Sequence, residues 1–137
     1  MPFHIFDVGA LSWITRPHAP DEPARHVAEL SDAAGMVHTR ANIWRYDPGA
    51  VGRRHVHAEQ EETFVVLNGV LSMYLGEPPT RHDVPAGGVV HVAPGTPLQS
   101  ANHGEVDLVV FACGAPPDEG ASLLSSAVTA GTDDGNG

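Results

Sequence analysis

The sequence predicts an all-β domain with an antiparallel sandwich or barrel architecture, and three observations support this fold class. From Met36 onward, apolar runs alternate with turn signals at intervals of about ten residues, as expected for short antiparallel strands. The 15 glycines and 12 prolines are too many for a helical bundle. The length of 137 residues suits one domain with a single core, and 42% hydrophobic residues exclude a disordered chain.

The N-terminal segment, residues 1–35, is expected to form an arm beside this domain. Phe3–Val8 is a short apolar strand candidate, and the three prolines that follow favour an irregular covering segment over a long helix. The edge strands of a small sheet need covering, and Phe3–Val8 is able to pair across an interface. We therefore expect a homodimer.

Seven strands are predicted in residues 36–113, with turns rich in glycine and proline between them. Asn68-Gly69 is a hairpin signal, because a type I′ turn needs positive φ at both central residues. The predicted strands are Val37–Tyr46, Gly52–His57, Glu62–Asn68, Val70–Leu75, Val89–Val92, Leu98–Asn102 and Val106–Cys113.

The C-terminal segment, residues 114–137, differs in composition from the strands. Gly114–Gly120 is rich in proline, glycine and acidic residues and is predicted to be a linker. Ala121–Ala130 is predicted either as a short helix or as a loose segment, and Gly131–Gly137 as a frayed tail.

The charge balance restricts the partners of the protein. Seven basic residues, all arginine, stand against 17 acidic ones, which gives a formal net charge of -10. Negative charge repels phosphate backbones and anionic lipid surfaces, so we expect neither nucleic acid nor a membrane as partner. A single cysteine excludes an internal disulfide, and neither a leader-like nor a membrane-spanning run is seen in the sequence. These features favour a cytoplasmic protein with a small-molecule ligand.

The most informative residues are His55, His57 and Glu62. Residues two apart on a strand face the same side, so the two imidazoles can converge on one point. A chain reversal over Ala58–Glu61 would bring the Glu62 carboxylate alongside from the neighbouring strand. Two imidazoles and a carboxylate suit a divalent transition metal with open coordination positions. The alternative is that His55 and His57 form a His-x-His pair on an exposed β surface and do not bind a metal.

These residues belong to a longer pattern that resembles the first motif of the cupin superfamily. That motif requires a glycine, then His-x-His, a glutamate and a second glycine, and the sequence supplies Gly49, His55, His57, Glu62 and Gly69 at every required spacing. The resemblance implies a small double-stranded antiparallel β-helix, or jelly-roll barrel. It also implies pairing into a dimer and a site inside the barrel.

The second cupin motif is matched only in part. Gly87, Gly95 and Asn102 are in register, and the resemblance extends over Val37–Cys113. Leu98, however, stands where the family has its third histidine. The resemblance therefore implies a four-ligand site that has lost one ligand in this chain.

Leucine cannot coordinate a cation, so at most three protein ligands remain. Gln99 and His103 are the nearest polar residues, but strand alternation that turns Leu98 inward sends both outward. His91 lies across a turn from this strand, and its direction cannot be assigned from the sequence. Two outcomes stay open. Either a divalent metal, with Fe, Mn, Ni and Zn not distinguished, is held by three ligands in a 2-His-1-carboxylate arrangement, or the site is metal-free.

Four further residues are candidates for substrate binding. Arg53 shares its strand face with His55, and it either holds an anionic group inside the barrel or balances surface carboxylates. Phe64 is either core packing beside the site or a platform for the substrate. Leu98 and Asn102 are expected on the inward face of their strand.

Three functional classes remain open. The first is a metal-dependent enzyme, either an oxygenase such as a dioxygenase or an isomerase, in which the cation polarises a substrate oxygen. The second is a barrel that binds a small ligand without chemistry, and the third is a structural or storage barrel. Fold alone does not decide between catalysis and binding.

Overall fold

The structure is a computed structural model that describes residues 2–118 and 121–128. Apart from one 3-10 turn, Val8–Ala10, and one short helix, α1 (Leu30–Ala34), its regular structure is all β. The strands are β1 (Ile14–Thr15), β2 (Arg25–Glu29), β3 (Arg40–Tyr46), β4 (His55–Val56), β5 (Glu61–Asn68), β6 (Val70–Leu75), β7 (Thr80–Pro85), β8 (Val89–Val92), β9 (Leu98–Ala101), β10 (Leu108–Ala115) and β11 (Ser122–Leu123).

The strands form two antiparallel sheets around a shared core. One sheet has the order β1-β2-β3-β10-β5-β8, and the other has the order β11-β4-β9-β6-β7. Strand β10 lies between β3 and β5, and its residues alternate strictly between buried and half-buried. Apolar residues at every second position of both sheets can therefore meet in one core, which includes Phe64, Leu71 and Leu108. The predicted antiparallel double-sheet barrel is confirmed.

The N-terminal segment differs from its prediction. Phe3–Val8 is not a strand; Phe3 and Ile5 are exposed, and the first regular element is the turn that begins at Val8. Within residues 2–118 and 121–128, this segment belongs to neither of the two sheets. The segment also contains a strand that was not predicted, β2, which begins two residues after the last proline and pairs with β3 along its whole length.

The central part of the chain also differs from the prediction at two places. A strand was not expected at β7, whose sequence is polar, but an edge strand tolerates polar residues on its open side. Asn68-Gly69 does not close a hairpin, because β5 and β6 belong to different sheets. Only Gly69 has positive φ, so the type I′ turn is absent and the chain crosses between the sheets at this glycine.

Ala121–Ala130, predicted as a short helix or a loose segment, is neither over residues 121–128, which the structure describes. Strand β11 pairs with β4, the Leu124 N–H donates to the Arg54 carbonyl, and Val128 packs in a cluster with Tyr74 and Ala101. Gln99, which is 1% exposed, donates to the Gly52 carbonyl and to Ser126 Oγ and accepts from the Ala127 N–H. The segment is therefore held by specific hydrogen bonds. The predicted tail Gly131–Gly137 lies outside the described residues.

No helix within residues 2–118 and 121–128 has the length and apolar character needed to cross a membrane.

Candidate metal centre

Three predicted ligands come together inside the barrel. His55 lies in β4, His57 follows directly after it, and Glu62 is the second residue of β5. Each offers one ligand atom, and these atoms lie within 4.8 Å of one another. The two imidazole rings are 5.0 Å apart and nearly perpendicular. The spacing in the sequence therefore does place the two imidazoles and the carboxylate around one point.

Both histidines are held in the same tautomer by their neighbours. Nδ1 of His55 is 2.9 Å from the Arg53 carbonyl oxygen, and Nδ1 of His57 is 3.2 Å from Oδ2 of Asp118. A carbonyl and a carboxylate can only accept hydrogen bonds, so Nδ1 donates in each ring. In the neutral rings, Nε2 therefore presents a lone pair, which is the form that binds a metal ion.

Glu62 has a buried oxygen without a hydrogen-bond donor. Its Oε1 lies 3.3 Å from Nε2 of His57, but the pair does not have hydrogen-bond geometry. With His57 neutral and Glu62 ionised, two electron-rich atoms face each other at this distance, which is unfavourable unless a proton or a cation lies between them. Burial raises the pKa of Glu62, and the Asp118 charge adds to this while His57 and Arg40 oppose it. A cation at this point would remove the conflict.

Burial also affects His55. It lowers the pKa of this imidazole, with His57 and Arg25 acting in the same direction against the hydrogen bond to Arg53. His55 therefore stays neutral, and able to act as a ligand, to lower pH than an exposed histidine does.

Leu98 lies opposite His55 in the candidate site. It pairs with His55 across β4 and β9, is 2% exposed and lines the cavity. No other histidine replaces the missing ligand: His91 contacts Glu61 on the outside, and His103 contacts the Tyr74 hydroxyl. Among the described residues, the group that could hold a metal is His55, His57 and Glu62.

The candidate ligands line a cavity of about 380 Å³, which lies at the small end of the range for small-molecule sites. Three of the four substrate-binding candidates, Arg53, Phe64 and Leu98, line it. Asn102 does not; it is fully buried and donates to the Tyr46 and Val106 carbonyls. Asn102 is therefore placed to hold two backbone segments together, not to contact a ligand.

Several lining residues were not singled out by the sequence. Asp118 lies in the predicted linker, four residues after Gly114, which pairs with Glu62. No local motif marks it, because its position depends on where β10 ends. Arg25 and Arg40 reach the cavity from β2 and β3, and β2 itself was not predicted. The other lining residues from these strands are Val27, Glu29, Asn42, Trp44 and Tyr46.

The arrangement fits a divalent transition metal. Two neutral imidazoles with free Nε2 atoms and a buried carboxylate oxygen without a donor are suitable ligands, and Asp118 supplies the outer contact that such histidines commonly make. With three protein ligands and a leucine on the remaining side, coordination positions stay open to the cavity.

Fold and site together define a small jelly-roll barrel with a ligand cavity and a candidate metal centre inside it. A family model described as Cupin domain matches residues 42–113. That match covers more than half of the chain, and the protein belongs to the cupin family.

Solved structures share the fold. The chain is similar to an uncharacterized conserved protein with a double-stranded β-helix domain from Klebsiella pneumoniae, with a TM-score of 0.70, 24% identity and coverage of 90% of this chain and 99% of that chain. It is also similar to a sugar phosphate isomerase from Silicibacter pomeroyi, with a TM-score of 0.69 and 22% identity. That match covers 83% of this chain and 76% of the isomerase chain. The polyketide cyclase RemF from Streptomyces resistomycificus has a TM-score of 0.74 and 13% identity. That match covers 91% of this chain and 87% of the RemF chain. No curated protein matches the chain.

Proposed function

We propose that this cupin binds a divalent transition metal through His55, His57 and Glu62 and uses it to act on a small molecule in the barrel cavity. The reaction class is an oxygenation, such as a dioxygenase reaction, or an isomerisation. The observation that carries the proposal is the short approach of Glu62 Oε1 to His57 Nε2, two acceptor atoms with no donor between them. The isomerase and cyclase among the similar structures agree with catalysis on this fold.

A bound divalent metal would supply a Lewis acid that polarises a substrate oxygen. The chain itself holds and orients the ligands. The Arg53 carbonyl and the Asp118 carboxylate fix the ring directions of His55 and His57. Leu98 and Phe64 provide an apolar wall that excludes water beside the centre and strengthens its electrostatic interactions.

A second candidate function is ligand binding without metal. The observation that favours it is the position of His57 between two carboxylates, 3.3 Å from Glu62 and 3.2 Å from Asp118. A doubly protonated His57 would place a positive charge between the two carboxylates and replace the cation. The barrel would then hold its ligand without Lewis-acid chemistry.

Metal analysis distinguishes the two functions. We expect protein purified without chelator to contain about one equivalent of a first-row metal, and chelator-treated protein to take up Mn²⁺, Fe²⁺, Ni²⁺ or Zn²⁺ with the same stoichiometry. His57→Ala and Glu62→Gln should abolish uptake, and His91→Ala is the control because that histidine lies outside the cluster. Uptake that is absent, or equal in all variants, would favour the metal-free function.

The assembly and location of the protein are part of the proposal. A homodimer would cover the exposed apolar side chains of the N-terminal segment, which include Phe3 and Ile5. A cytoplasmic location is supported by the single cysteine, since a reducing compartment leaves such a thiol free.

A further inference from the structure

The charge of the cavity is opposite to that of the chain. Carboxylates outnumber arginines by 17 to 7 in the whole sequence, which contains no lysine. Four of the seven arginines nevertheless line this one cavity, together with only three carboxylates, those of Glu29, Glu62 and Asp118. The lining arginines are Arg16, Arg25, Arg40 and Arg53. More than half of the basic residues of this acidic protein therefore lie around one cavity.

None of these four arginines forms an ion pair with a carboxylate of the described residues. The ion pairs formed by arginine there involve Arg54 and Arg81, neither of which lines the cavity. Arg40 donates to the Asp118 carbonyl, and Arg25 lies over two rings, 5.7 Å from the centre of Trp44 and 6.0 Å from that of Tyr46. Arg16, Arg40 and Arg53 are exposed and Arg25 is half-buried, so their guanidinium groups are accessible to an anion that enters the cavity.

Arg25 is the arginine whose position is best defined. It is half-buried, its charge acts on His55, and its guanidinium lies 6.0 Å from the centre of the Tyr46 ring. Burial raises the pKa of Tyr46, with Arg25 opposing the shift, so the phenol stays neutral and does not act as the counterion of Arg25. The Arg53 carbonyl contacts His55, and the Arg16 N–H donates to the Arg25 carbonyl. The backbone of Arg16 is thus close to Arg25, the backbone of Arg53 is close to His55, and all three arginines line the cavity.

The deeper wall of the cavity is apolar. Phe64, Leu71, Leu98 and Leu108 are each 7% exposed or less and come from both sheets, whereas Arg53 is exposed. A volume of about 380 Å³ is more than a simple inorganic anion needs and suits a ligand with a ring-sized body. The cavity therefore combines a cationic side with an apolar floor.

We propose that the ligand is an amphipathic organic anion, with a carboxylate or phosphate group held by Arg25 and Arg53 and an apolar body against Phe64 and Leu98. Guanidinium groups bind both anions through paired N–H donors. The proposal depends on the proposed function only in taking this cavity as the site, because the arginines do not belong to the metal ligands.

Tryptophan fluorescence tests the proposal directly. Trp44 lines the cavity, and Trp13→Phe leaves it as the only tryptophan of the chain. In this background, chelator-treated and metal-loaded protein are titrated with benzoate, phenyl phosphate, benzyl alcohol, acetate and inorganic phosphate. We expect saturable quenching by benzoate or phenyl phosphate, with about tenfold or greater loss of affinity for the neutral alcohol and for the anions without a ring. The tighter of the two aromatic anions identifies the charged group.

Arginine variants in the same background locate the anion. Arg25→Gln and Arg53→Gln should each weaken binding of the preferred anion about tenfold. Arg81→Gln removes the same charge outside the cavity and should change the affinity less than about twofold. Arg53 is exposed, so its variant tests the proposal even if Arg25→Gln fails to fold. Equal binding of benzyl alcohol and benzoate, or equal effects of all three variants, would overturn the proposal.

The experiments distinguish a failure of the proposed anion site from a failure of the proposed metal function. Binding to chelator-treated protein that depends on Arg25 and Arg53 supports the anion site whatever the metal analysis gives. Metal uptake through His57 and Glu62, with no arginine-dependent binding in either form of the protein, overturns the anion site and leaves the metal function standing.

Discussion

Leu98 is the residue that most affects the candidate metal centre. It faces His55 across two paired strands and lines the cavity, so a histidine there could reach the open side of the ligand group. We expect Leu98→His to raise the affinity for a divalent first-row metal by about tenfold or more, which corresponds to about 1.4 kcal/mol. Without metal, the buried polar ring should cost about 1 kcal/mol or more of stability.

Thermal melts with chelator and with added metal separate these two effects. Leu98→Asn is the matched control, because it carries a similar burial cost with a much weaker ligand. Suppose Leu98→His gains no more from added metal than the wild type does. Then Leu98 does not face the three ligands, and the comparison of its strand with the second cupin motif is out of register.

Asp118 acts on the centre through His57. Its carboxylate fixes the tautomer and adds negative charge, whereas an asparagine oxygen could still accept the hydrogen bond from Nδ1 without that charge. We expect Asp118→Asn to lower metal affinity about tenfold with little change of the melting temperature in chelator. Competition with a chromophoric chelator gives the affinity, and the exposed Asp21→Asn is the charge-matched control. A lower melting temperature with unchanged affinity would indicate a structural role only.

At the scale of elements, the connection from β5 to β6 decides how the two sheets are joined. Gly69 has φ of +77°, and a Cβ built on it would lie 2.8 Å from the Asp107 carbonyl oxygen. That oxygen is held in place, since it accepts a hydrogen bond from the Asn68 amide. A side chain at Gly69 therefore meets backbone that has little room to move.

Gly87 provides the matched comparison for this turn. It has φ of +93° but nothing within 4 Å of the Cβ position. We expect Gly87→Ala to cost roughly 1–2 kcal/mol through backbone strain alone. Gly69→Ala should cost at least about 1 kcal/mol more because of the steric conflict. Urea denaturation measures both, and equal losses would show that the approach to Asp107 has no energetic consequence.

At the scale of the whole molecule, His55 connects stability to pH. Because its pKa is lower in the folded protein than in the unfolded chain, its neutral form adds stability above the unfolded pKa of about 6.5. As the pH falls below this value, the unfolded chain binds a proton that the folded protein resists, and stability is lost. The raised pKa of Glu62 has the opposite sign, since the folded protein then binds the proton more readily.

Comparison with His55→Gln isolates the histidine, because the other titrating groups are common to both proteins. In chelator, we expect the unfolding free energy of the wild type to fall more than that of the variant between about pH 7.5 and about pH 5.5. Urea denaturation at the two pH values measures this difference. Identical pH dependence in the two proteins would contradict the burial effect at His55.

The N-terminal segment determines the expected assembly. Ile5 is 86% exposed and Phe3 61%, which is unfavourable unless another surface covers them. We expect a dimer at micromolar concentration in sedimentation equilibrium, and monomer after replacement of Phe3 and Ile5 by serine. Val37→Ser, which changes an exposed apolar residue elsewhere, should leave the dimer intact. A monomeric wild type would contradict the proposed homodimer.

The sequence by itself determined the features that depend on local spacing. The two-residue period of a strand places His55 and His57 on one face, and regular turn signals predicted most strands of the barrel. The same alternation correctly turned Leu98 into the cavity and kept Gln99 out of it. These predictions need only a few neighbouring residues, because the pleat of a strand fixes the direction of each side chain.

The tertiary structure alone decided which distant strands pair and what the cavity contains. Nothing local at Asn68-Gly69 distinguishes a hairpin from a crossing between sheets; the difference lies in the partners of β5 and β6. Strand β2 carries Arg25 into the cavity only because it pairs with β3, and Asp118 reaches His57 across 61 positions of sequence. Such contacts arise from long-range sheet pairing and burial, which set the charge of the cavity and the orientation of the candidate ligands.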